Sequence, residues 1–401
     1  MRVALVSEHA NPLAALGGED AGGQNVHVAE LAGELVARGN EVTVFTRRDN
    51  TAVPTRVDAP HGYTVEHVPA GPPSDIPKDQ LLPYMAAFGE YLADRWAGDR
   101  FDVVHAHFWM SGLAAAEAAR RVDLPVLQTF HALGTVKKRQ QGSRDTSPPE
   151  RIGIERRLCG TVDHVIATCS DEVRELRKMG LPARRVSVIP CGVDVTSFRP
   201  RPVERPPHPR LLVIGRLVER KGVGNVIEAL VHLPGVELLV AGGPPADALD
   251  VDPQVCRLRA LAESQGVADR VTFLGSVDRP DVPELMCSAD VVVAVPWYEP
   301  FGIVPVEAMA CGRPVVGSSV GGLLDTVVPG ATGELVPPRR PDLLAPVLRD
   351  LLNDPQRREA YGRAGRERAV ATYPWPEVAA RTEEVYAAVR QGQLRSTGAA
   401  R

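Results

Sequence analysis

Two acids in the segment WYEPFGIVPVEAMACG, Glu299 and Glu307, stand eight positions apart among apolar residues, glycine and proline. A carboxylate in such surroundings is costly unless donors reach it. Hydroxyl groups can supply those donors without a metal. A helix beginning close to Phe301 or Gly302 would add the free backbone N–H groups of Phe301, Gly302 and Ile303, which can receive an anion. Pro305 then falls in the first turn, where its missing N–H is harmless. Upstream, GRLVERKG places Arg216 and Lys221 after an apolar run and around a helix start. Two cations at a positive helix end suit a diphosphate, whose oxygens need several donors at once. Hydroxyls beside a diphosphate describe a sugar nucleotide, with sugar at one acid and ribose at the other. The plainer alternative has Glu299 answering the helix dipole, Glu307 pairing with an arginine such as Arg313, and the cations forming a solvated patch.

Further candidates lie in the first half. GGEDAGGQNVHV carries Gly17, Gly18, Gly22 and Gly23 into a helix, a loop that either approaches an anion or simply turns. The fingerprint GxGxxG is absent, although Arg47, Arg48 and Asp49 could imitate a dinucleotide pocket. His105 and His107 share one strand face in VVHAH, and no third ligand in the motif supports a metal. His131 ends LPVLQTFHALG and projects from a strand end. The DVD triplet at 250–252 is read as a chance spacing in a loop before a helix.

The elements that must position these residues alternate. RVALVSE, NVHVAELAGELVARG, EVTVFTRR, FDVVHAHF, LPVLQTF, VDHVIATC and RVSVIPCG give the strand–helix–strand rhythm of a parallel sheet. Val28, Leu31 and Leu35 mark one helix face, and Gly39 ends it. Pro200, Pro202, Pro206, Pro207 and Pro209 interrupt the rhythm, and RLLVIG, VELLVAGG, RVTFLG, ADVVVAVP and RPVVGSS restart it. The expected division is therefore 1–196, a linker at 197–209, a second domain at 210–370, and a closing helix at 371–401 that packs back toward the first domain and ends in a polar, disordered tail. Two doubly wound α/β domains facing across a cleft would set strand carboxyl ends on its walls, the edge where ligands bind. Segment 140–151 is polar and expected to be mobile.

A length of 401 residues fits two domains, and a net charge of −4 argues against a general grip on nucleic acid. No apolar run reaches membrane-spanning length, and MRVALVSEHANP reads as a first strand. The six cysteines are at least ten residues apart, without a CxxC motif, which fits a reducing cytoplasm.

Together these motifs resemble the retaining glycosyltransferases of family 4, with the GT-B fold, over nearly the whole chain. EPFGIVPVE looks like that family's paired-acid motif. The resemblance implies that Glu299 holds the donor sugar, Glu307 the ribose, and Arg216 and Lys221 the diphosphate. It also implies that Gly23 approaches the phosphates and His131 lies beside the transferred sugar. DAGGQNVHV, FDVVHAHFWMSG and QTFHALGTVKK are similar to D-inositol-3-phosphate glycosyltransferases and sucrose-phosphate synthases. On that likeness the acceptor falls to Gln24, Asn25, Lys78, His107 and Arg151. Phe108 and Ala132 replace a Tyr and a Thr that contact the acceptor phosphate in the inositol-phosphate enzymes. An unphosphorylated cyclitol, aminocyclitol or sugar thereby joins the sugar phosphates as an expected acceptor.

The expectation is a cytoplasmic hexosyltransferase that uses a UDP-sugar as co-substrate, with no tightly bound cofactor and no essential metal. No nucleic acid or integral membrane partner is implied, and a homodimer stays open. GSVDR, at 275–279, is placed near the base. A nucleotide-sugar epimerase and a non-catalytic sugar-nucleotide sensor are the rival readings, with a dehydrogenase last.

Overall fold

A strand buried on both faces needs helices on both faces, and the apolar runs build two such sheets. The computed structural model describes residues 1–14, 22–204 and 206–392. Gly17, Gly18 and the end of the tail lie outside the described residues. The chain divides into two units, Met1–Cys191 with Trp375–Arg401, and Gly192–Pro374. The proline-rich stretch 197–209 belongs to the second.

The first unit contains β1 (Arg2–Val6), β2 (Glu41–Arg47), β3 (Arg56–Asp58), β4 (Thr64–Val68), β5 (Val103–His107), β6 (Val126–Thr129), β7 (His164–Ala167) and β8 (Val186–Val188). Their order is β3-β4-β2-β1-β5-β6-β7-β8. β3 is antiparallel to β4, and the remaining pairs are parallel. Alternation along β1 sends Val3 and Leu5 to one apolar cluster and Ala4 and Val6 to another. The helix Gly23–Ala37 buries Val28, Leu31 and Leu35 against the first of these, about 1.5–3 kcal/mol for each large side chain. Gly39 follows that helix with φ of +86°.

The helix Trp375–Arg390 packs within this unit: Val378 and Tyr386 are buried, and Glu383 accepts from Arg38 at 2.7 Å and from Asn40 at 2.9 Å. Segment 140–151 is tied down rather than loose. Its Asp145 lies 3.2 Å from Lys137, which also reaches Asp79 at 3.2 Å, and Thr146 donates to Asp79.

The second unit contains β9 (Arg210–Ile214), β10 (Glu237–Ala241), β11 (Val271–Gly275), β12 (Val291–Ala294), β13 (Val315–Ser318) and β14 (Gly333–Val336). The order is β11-β10-β9-β12-β13-β14, parallel throughout. Both sheets reverse direction beside their first strand: β1 meets β5 and β9 meets β12. In open α/β sheets the crevice beyond the strand ends at such a reversal is where ligands bind. β3, β4 and β14 are strands the apolar runs did not announce. β3 is short and largely exposed, and β14 is short and half-buried at its two central residues.

Candidate active site

At the β9–β12 reversal, glycines let two loops interlock. Gly222 has φ of +77°, and a Cβ there would come within 2.1 Å of the Val295 carbonyl. The N–H of Trp297 donates to the Arg220 carbonyl at 2.8 Å. The short turn Glu219–Lys221 thus lies against the end of β12, and Lys221 Nζ sits 2.5 Å from Glu299 Oε2. Burial by itself would raise the Glu299 carboxyl. The cations Lys221, Arg220 and Arg216 outweigh it and hold the carboxyl below its usual range.

The helix carrying Glu307 is Ile303–Ala310, capped by Gly302 with φ of +91°. Pro305 is its third residue, so the N–H groups of Gly302, Ile303 and Val304 open a positive end that helical bonding leaves unused. The preceding loop is shaped by a pair that sequence reasoning missed, Gly321 and Gly322. Gly322 N–H donates to the Glu299 carbonyl at 3.0 Å. A Cβ on Gly321 would lie 1.9 Å from that oxygen, and one on Gly322 2.4 Å from Phe301 Cα. The available signal was the GG after β13. Glu307 is buried, and Arg279 Nη1 lies 2.5 Å from its Oε1. Burial raises this carboxyl, and Arg279 only partly offsets the rise. The arginine is therefore Arg279, from GSVDR; Arg313 instead points Nη1 at the Ala289 carbonyl, 3.4 Å away.

At the β1–β5 reversal the chain places Glu8 and His9 after β1 and Ser111 on the helix Trp109–Val122. Ser111 Oγ donates to Glu8 Oε2 and accepts from the Glu8 N–H at 3.0 Å, while Glu8 Oε1 lies 2.7 Å from His9 Nδ1. This buried carboxylate is a second feature the motifs did not announce. Phe108 and His131, at φ of +82° and +58°, flank the same edge. Such backbone is costly for residues with side chains and clusters at functional sites. His107 Nδ1 and His131 Nε2 are 3.0 Å apart.

The expected acceptor residues are placed unevenly. Gln24 donates to Ser7 Oγ at 3.2 Å and to the His107 carbonyl at 3.3 Å, at the reversal. Exposed Gly23 precedes it in the first turn. Asn25 is buried, bonded to Asn11 O and Gly22 N–H as part of the helix cap. Arg151 is buried too: Nε donates to Glu155 at 2.8 Å, Nη1 to Ser147 at 3.2 Å and Nη2 to the Ala132 carbonyl at 2.7 Å. Its guanidinium lies 5.0 Å from the Phe108 ring centre. Half-buried Lys78 starts the turn Lys78–Gln80. Elsewhere, Asp252 of DVD caps the helix Pro253–Ser264, accepting from Gln254 and Val255 N–H groups. Arg47 is spent on the carbonyls of Arg48, Pro72 and Ser74.

Comparison with known proteins gives these edges a family. Residues 21–197 match Glycosyltransferase Family 4, and residues 194–368 match Glycosyl transferases group 1. A D-inositol 3-phosphate glycosyltransferase of Xylanimonas cellulosilytica is 37% identical over 409 residues, 96% of each chain. The chain belongs to glycosyltransferase family 4. A sucrose-phosphate synthase of Thermosynechococcus elongatus shares its structure at a TM-score of 0.89, with 32% identity over 98% of this chain and 99% of that one. Anabaena HepE, solved in complex with UDP and glucose, has the same fold at a TM-score of 0.75 and 21% identity, over 97% of this chain and all of its own.

This family 4 enzyme is a hexosyltransferase with the two-domain GT-B fold. Among its described residues no helix is long and apolar enough to cross a membrane. Its second unit brings Arg216, Lys221, Glu299, Phe301, Gly302, Ile303 and Glu307 to one sheet edge, and its first brings Gln24, His107 and His131 to another.

Proposed function

We propose that this glycosyltransferase moves a hexosyl unit from a UDP-sugar, with retention of configuration, to a hydroxyl of a small polar acceptor such as a cyclitol, aminocyclitol, sugar or sugar phosphate. The second unit holds the donor and the first the acceptor. The observation that carries the reading is Lys221 beside Glu299, next to the open end of the helix that bears Glu307. At the junction of a sugar nucleotide, an anion and hydroxyls lie within a few ångströms of each other, and a cation–carboxylate pair offers both partners. Lys221 and Arg216 then stabilise the charge growing on the departing diphosphate, where electrostatic catalysis acts most strongly. Glu299 holds sugar hydroxyls and Glu307 holds the ribose. The reaction needs no metal in this scheme, because the leaving group is met by side-chain cations and helix N–H groups.

The scheme has no enzyme nucleophile. The acceptor oxygen attacks the anomeric carbon on the face the diphosphate leaves, the bond to the phosphate oxygen breaks, and the acceptor proton passes to that departing oxygen. The test is a panel of nucleotide sugars against cyclitol and sugar-phosphate acceptors, with products read by mass and the anomeric centre by NMR coupling. Retained configuration and nucleoside diphosphate release that depends on acceptor are expected. A sugar altered without acceptor indicates an epimerase, and donor binding without turnover over the whole panel indicates a sensor; either overturns the reading. Lys221→Ala should lower kcat by much more than it weakens donor binding, and unchanged kcat refutes its role on the leaving group.

A further inference from the structure

Three histidines of the first unit meet from three elements. His107 ends β5, His131 follows β6, and His27 lies on the helix Gly23–Ala37. The parallel register pairs His107 with Thr129, which brings the ends of β5 and β6 side by side. The left-handed backbone of His131 then redirects its ring. Ring centres are 5.5 Å apart for His27 and His107, 5.0 Å for His27 and His131, and 5.2 Å for His107 and His131. The near-equal sides matter. With metal–nitrogen bonds of about 2.0–2.1 Å and tetrahedral angles, imidazole centres around one metal ion fall about 5.2 Å apart. One nitrogen from each ring already lies within 4.8 Å of the others.

We propose that His27, His107 and His131 form a three-histidine binding site for a late first-row divalent metal, with Zn²⁺ as its probe.

Donor chemistry favours such an ion. Three imidazoles without a carboxylate suit zinc, copper or nickel and offer nothing to magnesium or calcium, which take oxygen. Imidazole ligates in its neutral form, so uptake should weaken as the pH is lowered. Nδ1 of His27 and Nε2 of His107 are buried without a hydrogen-bond partner, so the cluster is not a saturated network. His105, packed on His107, is different: its nitrogens are taken by Tyr386 and Thr129 at 2.7 and 2.9 Å, which leaves it in support. On metal uptake the proton between His107 Nδ1 and His131 Nε2 moves to the other nitrogen of its own ring. Both rings stay neutral and both lone pairs turn to the ion. His131 is only half-buried, so the fourth position opens there to water.

The site shares His107 and His131 with the first unit's candidate edge, supplies no step of the metal-free transfer scheme, and is tested by binding. Full-length protein without a histidine tag is titrated with Zn²⁺ against a chromophoric chelator, and with Co²⁺ for the visible bands of tetrahedral cobalt. One equivalent of each at pH 7, lost on acidification, is expected. His27→Phe should weaken uptake at least tenfold, as should His107→Gln. Absence of stoichiometric uptake overturns the proposal, and so does uptake that both variants leave unchanged. If a variant fails to fold, the cobalt spectrum of the unaltered protein decides: a non-tetrahedral spectrum or none refutes the site. A failed sugar transfer would leave these readouts untouched.

Discussion

Removing Arg279 should expose how much the buried carboxylate of Glu307 depends on one counter-charge. Glu307 is 2% exposed and the Arg279 side chain 37%, at 2.5 Å. Breaking a fully buried pair costs about 3–5 kcal/mol; with more than a third of the arginine in solvent, about 2 kcal/mol is the appropriate scale. Arg279→Ala also removes the guanidinium from over the Phe198 ring, 4.5 Å away. That contact adds about 0.5–1 kcal/mol. The sum, near 2.5 kcal/mol, moves a urea midpoint by about 1 M at ordinary slopes. Two units need not unfold together, so the signal must belong to the second. Of the four tryptophans only Trp297 lies there. 5-Fluorotryptophan labelling, with the Trp297 resonance followed by ¹⁹F NMR in urea, isolates it.

The sign with pH follows from the raised Glu307 carboxyl. A group with a raised folded pKa favours the fold fully below its unfolded value, 4.5, and loses that contribution as pH rises through the folded value. Taking away Arg279 raises the folded value further, so the deficit of the variant grows with pH and shrinks toward the ring contact in acid. A double-mutant cycle of Arg279→Ala with Glu307→Gln should give a coupling of about 2 kcal/mol. Coupling below about 0.3 kcal/mol, the level at which independent sites add, would refute the pairing argument.

Other outcomes follow from the same geometry. Gly322→Ala drives a Cβ into Phe301 and should cost about 1–3 kcal/mol in urea unfolding and weaken donor binding by calorimetry, whereas Gly98→Ala, with open space around it, should do neither. Glu172 is buried, with a carboxyl pushed up to about 7; stability should fall between pH 4.5 and 7 and then level, and Glu172→Gln should flatten that slope by about 3 kcal/mol across the window. Phe108→Tyr with Ala132→Thr should raise kcat/KM for a phosphorylated cyclitol about 10-fold or more by restoring hydrogen bonds to a charged group, read by product formation.

The strand rhythm was legible because period and burial are local, and so were the loops bearing Arg216, Lys221 and Glu299, since motifs there are contiguous. Partnerships were not. Glu307 meets Arg279 across 28 positions, and Ser111 meets Glu8 across more than a hundred; apolar patterning carries no record of which polar groups the sheet brings together. His105 and His107 shared a strand face with no third ligand in their motif, and the imidazoles that meet His107 came from a helix and from the turn after β6. Arg151 and Asn25 have partners of the same hidden kind: Glu155, Ser147 and the Ala132 carbonyl for the arginine, and the Asn11 carbonyl for the amide.

Lys221 and Glu299 neutralise one another across 2.5 Å, and under the proposed function that pair would tell a whole donor from its fragments. A nucleoside diphosphate that recruits the lysine strands a carboxylate, and a free hexose that recruits the carboxylate strands an ammonium. Only a molecule joining both chemistries would leave neither charge abandoned, so on that proposal discarded halves would compete poorly with the intact donor.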